Sequence, residues 1–340
     1  MSSLMDELQE LNHEYMGAIL AQMEDVLSSQ VGADTSLLEM TRYHLSTGGK
    51  RLRALLPLAV GRAFGKSCEE MVAFGAACEM LHNATLVHDD LQDGDVVRRG
   101  EPTVWVKYGK PQAINLGDAM LYVTILLLDG LSVSAEQRQK AIRRVASETL
   151  RVVDGQEREF ALQQIEEPGA SDYFAMVEGK TSGLFALPVV GAAELCGASD
   201  DVLDALQEAS RHLGVIFQIQ DDILDLYGDK GREAPGSDVA EGKISMLVIS
   251  ALDLASDEDS GWLRALLRRE REDVSREDID RAMTLFKECG ALKAAFDEID
   301  RRTALALEQD ALKGVPAMHR IVSEMVDVFL APIQSVRSQG

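Results

Sequence analysis

The sequence has few aromatic residues and few cysteines, and neither type is arranged as a structural framework. Aromatic residues make up 5% of the chain, and the four cysteines lie far apart without CxxC spacing: Cys68, Cys78, Cys196 and Cys289. This spacing argues against a zinc site and a disulfide scaffold as the source of stability. We therefore expect buried free thiols in a reducing cytoplasm.

The chain also lacks a membrane signature and an excess of basic residues. Its N-terminus, MSSLMDELQELNHEYMGAIL, is acidic and amphipathic, whereas a signal peptide has a basic start and an apolar centre. No apolar run approaches the roughly 20 residues that span a bilayer. The formal net charge of −23 opposes binding to nucleic acid or to anionic lipid surfaces. We expect a cytoplasmic protein without a transmembrane segment or a nucleic-acid partner, although a local basic pocket can still bind a small anion.

The sequence does contain one helical pattern after another. Hydrophobic residues make up 46% of the 340 residues, which is enough for a large core. Ala, Leu and Glu recur throughout, and the alternating β-branched runs of strands are missing. The stretch LGDAMLYVTILLLDG predicts a buried central helix. Because no composition break separates domains, the sequence predicts one all-helical domain over residues 1–340.

Two aspartate groups share the spacing DDxxD at the ends of predicted helices, in LVHDDLQDGDVVRRG and in FQIQDDILDLYGD. On a helix the first and fifth positions lie on one face about 6 Å apart, where like charges repel without a counter-cation. Magnesium binds through one or two carboxylates and keeps water and substrate phosphates as its other ligands. Two such faces opposite each other would hold magnesium around a diphosphate, although a single group of this kind is more often a solvated surface. The first group is Asp89, Asp90 and Asp93, and the second is Asp221, Asp222 and Asp225.

Basic residues beside glycines and aspartates indicate where an anionic ligand would bind. Glycine lets the backbone approach an oxyanion closely, and the arginine fork matches phosphate oxygens two at a time. Each basic residue alone is compatible with an ordinary surface position, but together they predict a site for two phosphate-bearing molecules. They are Lys50 and Arg53 in TGGKRLR, Arg98 and Arg99 after the first aspartates, Lys180 in EGKTSGLF and Lys243 in AEGKIS.

Several motifs succeed one another in order between about Gly48 and Leu247. They are GGKRLR, LVHDDLQD with RRGEPT, the LGD of INLGDAM, the GQ at Gly155 and Gln156, KTSGL, FQIQDDILD and EGKIS. In these motifs the chain resembles the trans-polyprenyl diphosphate synthases, which elongate allylic diphosphates with isopentenyl diphosphate. The resemblance implies a single large all-α bundle of the isoprenoid synthase type, with a deep central cavity, that acts as a homodimer. The chain departs from the family at Arg232, where a lysine is usual.

The resemblance also implies a role for each matched residue. Both aspartate groups would bind about two or three Mg²⁺ ions, with Mn²⁺ as a substitute, and hold the allylic diphosphate. The residues implied in catalysis are Asp89, Asp90, Asp93, Lys180, Asp221 and Asp222. Contacts to the allylic diphosphate would come from Arg98, Lys180, Thr181, Gln218 and Lys243, and isopentenyl diphosphate would be bound by Lys50, Arg53, His82 and Arg99. Gln156 is a further helper, His88 is structural, and His82 on its own would be an ordinary core histidine.

Product length in this family depends on the helix that ends in the first aspartate group. Ala84 and Thr85, shortly before Asp89, would face the growing chain, and relatives that stop at about fifteen carbons have bulky aromatic residues there. Here both residues are small, and Leu81 lies one turn further back. We therefore expect products of about twenty carbons or longer. The primer, whether dimethylallyl, geranyl, farnesyl or a longer diphosphate, stays open.

Two other classes of protein share part of the pattern. A terpene cyclase-like enzyme on the same bundle would ionise an allylic diphosphate without an isopentenyl site, and Lys50, Arg53 and Arg99 argue against it. A non-catalytic subunit of a heteromeric synthase is expected to have lost aspartates, and none is missing here.

Overall fold

The computed structural model describes residues 3–228 and 235–338, and apart from one short hairpin the regular secondary structure of these residues is helical. The predicted all-α class is confirmed. Arg232, the departure from the family pattern, lies outside the described residues. The hairpin consists of β1 (Val97–Arg98) and β2 (Glu101–Pro102), which pair antiparallel.

Nineteen α-helical segments are found in the described part of the chain. They are α1 (Leu4–Val31), α2 (Ser36–Ser46), α3 (Leu52–Ala63), α4 (Cys68–Gln92), α5 (Val104–Tyr108), α6 (Lys110–Asp129), α7 (Ala135–Leu162), α8 (Ala170–Val177), α9 (Gly183–Ala186), α10 (Ala192–Leu195), α11 (Asp200–Tyr227), α12 (Ser237–Ala240), α13 (Met246–Leu254), α14 (Asp257–Leu266), α15 (Arg276–Glu288), α16 (Ala291–Leu307), α17 (Asp310–Lys313), α18 (Pro316–Leu330) and α19 (Gln334–Arg337). Two π-helical turns (Glu178–Ser182 and Leu187–Gly191) and two 3₁₀ turns (Arg271–Asp273 and Ala331–Ile333) complete the helical structure of the described residues.

The chain divides into two compact units. The first unit comprises Met1–Glu148 and Leu184–Leu206, and the second comprises Thr149–Gly183 and Gln207–Gly340. A single domain over the whole chain stays a prediction.

The first unit is built around α4. This helix starts with a capping box between Ser67 and Glu70, in which the Ser67 amide donates to the Glu70 carboxylate at 2.9 Å. It packs on α1, α3 and α6. At Gly75 the backbones of α3 and α4 come so close that a Cβ atom would lie 2.4 Å from the carbonyl oxygen of Ala54. A tightly packed α4 therefore carries the first aspartate group at its C-terminal end.

Helix α6 confirms only part of its prediction, because one side is buried and the other is not. Leu116, Met120 and Leu127 are buried, whereas Ile114 is 48% and Tyr122 is 74% exposed. By length and composition, α6 is the single helix within residues 3–228 and 235–338 that could cross a membrane. The sequence predicts no apolar segment long enough to span a bilayer, but α6 reaches that length. Its few charged residues interrupt the apolar run without making the whole helix polar.

The second unit is organised around α16, which packs on α13, α15 and α18. The long helix α11 is anchored in this unit by two contacts. The rings of Phe217 and Phe329 meet edge to face with their centroids 5.2 Å apart, and the Tyr227 hydroxyl donates to the carbonyl oxygen of Met283 at 2.7 Å. These contacts fix the last turns of α11, which carry the second aspartate group.

Candidate functional site

The first aspartate group occupies the last turn of α4. Asp89 and Asp90 lie within the helix, and Asp93 is its C-cap, with its amide donating to the carbonyl oxygen of Asp89 at 2.8 Å. Asp89 and Asp93 are half-buried, and Asp90 is buried. The four-residue spacing puts Asp89 and Asp93 on one face of the helix end, as the sequence predicts.

Asp90 differs from its two neighbours because it holds an arginine. Its Oδ1 accepts from Nε of Arg98 at 2.6 Å and lies 2.5 Å from Nη2. Burial raises the pKa of Asp90, and the bond from Arg98 opposes that rise. The second oxygen, Oδ2, is buried without a hydrogen-bond partner. An unpaired buried carboxylate oxygen is costly, so Asp90 is suited to gain a further donor or a cation.

A tight turn presents the two adjacent arginines to different partners. Arg99 has φ +54° and Gly100 has φ +85°, the pattern of a type I′ turn between β1 and β2. The Tyr43 hydroxyl holds this hairpin by donating to the carbonyl oxygen of Pro102 at 2.7 Å. Arg99 Nη1 donates to the carbonyl oxygen of Gly48. The guanidinium of Arg99 thus lies on the glycine loop, where a Cβ atom at Gly49 would be 2.6 Å from Nη1.

Arg53 and His82 form a half-buried pair in the same unit. Arg53 Nη1 lies 3.2 Å from His82 Nε2, and its guanidinium stacks 4.6 Å from the ring centre of Phe185. Burial lowers the pKa of Arg53 to about 10. Burial, followed by the charges of Arg53, Arg98 and Arg99, lowers the pKa of His82 well below its ordinary value. Arg53 is therefore charged and His82 neutral at pH 7, and Arg53 Nε and His82 Nδ1 are buried without hydrogen-bond partners.

The structure thus brings Arg53, His82, Arg98 and Arg99 into one electrostatic environment, since the charges of all three arginines act on His82. Lys50 lies exposed in the adjoining glycine loop.

The sequence interpretation missed a buried polar network in the first unit. Glu79 pairs with Arg51 at 2.7 Å and accepts from the side chain of Asn83 at 3.0 Å. His44 is also buried, and burial followed by the nearby arginine charges lowers its pKa to about 3. A signal for Glu79 was present, because Glu79, His82 and Asn83 are three and four residues apart and share a face of α4.

The second aspartate group centres on Asp222, which is buried. Its Oδ2 accepts from the Tyr173 hydroxyl at 2.9 Å and from the Met246 amide at 3.3 Å, and its Oδ1 accepts from Gln218 Nε2 at 3.0 Å. Burial and then the charge of Asp238 raise the pKa of Asp222 to about 7, against the donated hydrogen bonds. Tyr173 is a second residue that the sequence interpretation missed.

The three aspartates of this group have different surroundings. Asp221 is half-buried. Asp225 is buried, and both of its carboxylate oxygens accept from the segment that comes after the undescribed residues. Ser237 Oγ donates to Oδ1 at 2.7 Å, and the Asp238 amide donates to Oδ2 at 3.1 Å. The metal role of Asp225 stays a prediction, and in this structure Asp225 anchors a loop.

The raised pKa of Asp222 has a measurable consequence for stability. Because its folded value of about 7 exceeds the ordinary 3.8, the folded state holds an extra proton between these values. The free energy of unfolding of the metal-free protein should therefore decrease as pH rises from about 4 to about 7, by at most about 1.4 kcal/mol per pH unit from this group. Asp222→Asn should remove that contribution, as measured by denaturant unfolding at pH 5 and pH 7.5.

Asp204→Asn is the matched control, since Asp204 is an exposed aspartate on the same helix. It should leave the pH dependence of the wild type unchanged. An identical pH dependence for Asp222→Asn and the wild type would contradict the prediction.

The lysine and threonine of KTSGL lie in the π-helical turn Glu178–Ser182. Lys180 Nζ pairs with Glu159 of α7, and the Thr181 hydroxyl donates to Gln218 Oε1 at 3.1 Å. Gly155 explains how α7 comes so near, because a Cβ atom there would lie 2.1 Å from the amide nitrogen of Lys180. The next residue, Gln156, is buried, and neither its amide oxygen nor its amide nitrogen has a hydrogen-bond partner.

Lys243 is half-buried in the loop before α13. Its Nζ lies 2.9 Å from Glu241 Oε2 and 3.8 Å from Asp238 Oδ1. Asp238 also raises the pKa of Asp222, so Lys243 belongs to the environment of the second aspartate group.

The three chain-length residues differ in exposure. Leu81 and Ala84 have 1% and 0% of their surface exposed, whereas Thr85 is partly exposed and its hydroxyl donates to the carbonyl oxygen of His82 at 2.8 Å. Of these three residues, Thr85 is therefore the one whose side chain is partly accessible. Nearby, His88 packs on α6, where a Cβ atom at Gly117 would lie 2.1 Å from its Nε2, and this accounts for the glycine of LGD.

The carboxylates fit a hard divalent cation that keeps part of its own solvent shell. Among residues 3–228 and 235–338, no three His, Cys, Asp or Glu side chains converge to hold a metal alone. Mg²⁺ does not need such a cage, because water and substrate phosphates complete its coordination. The unpartnered Oδ2 of Asp90 and the raised pKa of Asp222 both mark carboxylates that a cation would stabilise.

Comparison with known proteins gives a consistent result. Residues 34–285 match the family model described as polyprenyl synthetase. The chain is 32% identical to the geranylgeranyl diphosphate synthase of Saccharolobus solfataricus over 314 residues, 90% of this chain and 92% of that protein. It is 32% identical over 271 residues to the short chain isoprenyl diphosphate synthase of Methanocaldococcus jannaschii, covering 79% of this chain and 82% of that protein. A solved decaprenyl diphosphate synthase from Rhodobacter capsulatus superposes with a TM-score of 0.85 at 26% identity, over 97% of this chain and 99% of that chain.

Proposed function

The chain belongs to the polyprenyl synthetase family, and from that premise we propose that it joins an allylic diphosphate to isopentenyl diphosphate. It is a trans-prenyltransferase of isoprenoid biosynthesis, with products of about twenty carbons. The observation that carries the proposal is the basic group of the first unit, in which Arg53 and His82 are half-buried and Arg99 is exposed. Arg53, Arg99 and neutral His82 offer unpartnered or loop-facing nitrogens beside the glycines at 48 and 49.

We assign isopentenyl diphosphate to this basic group. Arg53 and Arg99 supply charged forks for phosphate oxygens. His82 offers Nδ1 as a neutral partner, and exposed Lys50 adds a flexible charge at the edge of the loop. Removal of water from such a site strengthens every one of these contacts.

The allylic diphosphate is assigned to the two aspartate groups and their neighbours. As the family of the chain suggests, Asp89, Asp90 and Asp93 would bind Mg²⁺, and so would Asp221 and Asp222, with Asp225 as a further ligand or a loop anchor. Lys180, Thr181, Gln218, Lys243 and Arg98 would contact the diphosphate. Enzymes of this family are generally metal-dependent, and bound Mg²⁺ would supply positive charge that stabilises the departing diphosphate.

The residues of the chain explain why the carbon–oxygen bond can break. Diphosphate leaves with the bonding electron pair, so Arg98 and Lys180 lower the barrier by stabilising negative charge as it develops. The double bond of isopentenyl diphosphate then attacks the allylic carbon and forms the new carbon–carbon bond. One proton is lost, and the released diphosphate accepts it. The reaction also requires that water have limited access to the carbocation, because water would otherwise capture it.

We further propose a cytoplasmic homodimer in which the whole chain folds as one domain. The exposed side of α6, with Ile114, Tyr122 and Leu126, gives a second copy an apolar surface to cover.

Incubation of the purified protein with Mg²⁺, isopentenyl diphosphate and primers of graded length tests the proposed reaction. Elongated products, sized by chromatography, are expected with at least one primer. Failure of condensation with every primer would contradict the reaction, and cyclised hydrocarbons from the primer alone would favour the terpene cyclase alternative.

Product length is predicted to respond at Thr85. Thr85→Phe should shorten the main product from about twenty to about fifteen carbons, because a ring at this partly exposed position occupies space beside α4. Ala84→Phe is the comparison, since Ala84 has no exposed surface and a ring there must first displace packed neighbours, which costs about 1–3 kcal/mol of stability. Product sizing and thermal unfolding of both variants separate the two effects. An unchanged product from a folded Thr85→Phe variant would place the limit elsewhere.

A further inference from the structure

We propose that Arg51 and Glu79 are positioning residues for the isopentenyl site, and that Arg51 does not itself bind phosphate. The inference rests on the proposed function, because it concerns the residues on either side of Arg51 in GGKRLR. Arg51 has the same charge as Lys50 and Arg53, and its sequence context is compatible with a third phosphate ligand. Its contacts in the first unit indicate a different role.

Arg51 connects three helices, two through its guanidinium and one through its position in the backbone. Nη1 pairs with Glu79 of α4 at 2.7 Å, and Nη2 donates to the carbonyl oxygen of Leu45 in α2. Arg51 is itself the N-cap of α3. Its side chain is 9% exposed and that of Glu79 is 3% exposed. A guanidinium that is buried and bonded on both terminal nitrogens has little left to offer a ligand.

The backbone at Arg51 explains why such an anchor is needed. Arg51 has φ +52°, a left-handed conformation that is unfavourable for a residue with a side chain. Gly48 and Gly49 just before it also have positive φ. The loop therefore holds a conformation that glycine tolerates and arginine does not favour. The contacts of Arg51 to α2 and α4 hold it in place, and with it the flanking residues.

Glu79 is the other half of this anchor, and its position would otherwise be unfavourable. It is a buried acid whose charge acts on Arg53 and Arg99 as well as on Arg51. An acid there weakens the attraction of the site for a diphosphate, so its contribution to binding must be geometric. Asn83, one turn along α4, donates to the same Oε1 at 3.0 Å and fixes the carboxylate.

The test compares Glu79→Gln, Arg51→Met, Arg51→Lys and the double variant Arg51→Met with Glu79→Gln. Each single variant should raise KM for isopentenyl diphosphate about tenfold, with kcat and the KM of the allylic primer within about twofold of the wild type. The double variant should lose no more than either single one, because both changes release the same anchor. Arg51→Lys should not rescue, since an ammonium cannot bond Leu45 and Glu79 with the planar fork of arginine.

A surface pair in the same unit provides the matched control. Arg42 and Glu24 are 2.8 Å apart with side chains 56% and 31% exposed, and Arg42→Met and Glu24→Gln should leave every constant unchanged. If a single variant fails to fold, the apolar pair Arg51→Met with Glu79→Met replaces it, because apolar substitutes for a buried ion pair often preserve stability.

Three results would overturn the inference. They are a raised KM in Arg51→Met with an unchanged KM in Glu79→Gln, an unchanged KM in Arg51→Lys, and additive losses in the double variant. Calorimetric binding of isopentenyl diphosphate without metal gives a readout that does not depend on turnover. A wild type that binds but makes no product would contradict the proposed function alone, whereas a folded Glu79→Gln variant with wild-type affinity would contradict this inference alone.

Discussion

Asp89→Asn is expected to lower kcat/KM by about 10³-fold and to raise the Mg²⁺ concentration needed for half-maximal rate. Asp89 is half-buried on the last turn of α4 and shares one face with Asp93. An amide keeps the shape of the side chain but supplies a neutral oxygen, which is a much weaker ligand for a hard cation. Steady-state rates over a series of Mg²⁺ concentrations, at saturating levels of both substrates and at low levels, measure the effect.

Asp129→Asn is the control for this experiment. It removes one negative charge from an exposed position at the end of α6 in the same unit, and its rates should match those of the wild type. Thermal unfolding of Asp89→Asn in the absence of metal should also match the wild type, because Asp89 is not part of the buried core. A decrease in kcat/KM of less than about tenfold, or an equal decrease in Asp129→Asn, would contradict the role of Asp89 as a metal ligand.

Gly155→Ala is expected to lower kcat/KM about 10²-fold and to destabilise the fold by about 1–3 kcal/mol. The added methyl group would lie 2.1 Å from the Lys180 amide nitrogen and 2.6 Å from the carbonyl carbon of Gly179. Both are backbone atoms and cannot rotate away, so α7 and the π-helical turn must separate. Lys180 then moves with the turn that carries it. Denaturant unfolding and steady-state kinetics measure the two consequences.

Gly17→Ala separates this local effect from the general effect of alanine in a helix. Gly17 lies in α1 with nothing within 4 Å of its would-be Cβ atom. Alanine there should be neutral or stabilising by up to about 1 kcal/mol, because it has the higher helix propensity. If Gly155→Ala behaves as Gly17→Ala does, the close approach of the two backbones does not position Lys180.

Local sequence patterns predicted the helices and the ends of helices at which the aspartates lie. Helices and their ends could be predicted because both depend on residues close in sequence. A helix depends on the spacing of its apolar residues, and a helix end depends on the residues next to it. The spacing of Glu79 and His82, three residues apart on one face of α4, was also local information, but it was not used to predict the role of Glu79. Hydrophobic content alone could not predict which side of α6 is buried. Ile114 and Tyr122 are hydrophobic residues like their buried neighbours, but they are exposed.

The partners of the charged residues could not be predicted, because they come from distant parts of the chain. Tyr173 is 49 residues from Asp222, and Arg51 is 28 residues from Glu79. No local spacing connects such pairs. The sequence patterns also made the three aspartates of each group equivalent, whereas packing gives Asp90 an arginine and Asp225 a loop to hold. Residue type therefore indicated the chemistry, and tertiary contacts decided which side chain performs it.

The π-helical turn at Glu178–Ser182 makes the length of this segment part of its chemistry. A π turn contains one residue more than an α turn, so removing a single residue from it would restore ordinary winding while the helical residues on either side keep their orientation. The shortened turn would place Thr181 and Lys180 differently, so that Thr181 loses its hydrogen bond to Gln218 and Lys180 loses its pairing with Glu159. Deletions of one residue should thus be more damaging here than most point substitutions, and homologues aligned across this segment should keep a fixed count between Tyr173 and Thr181.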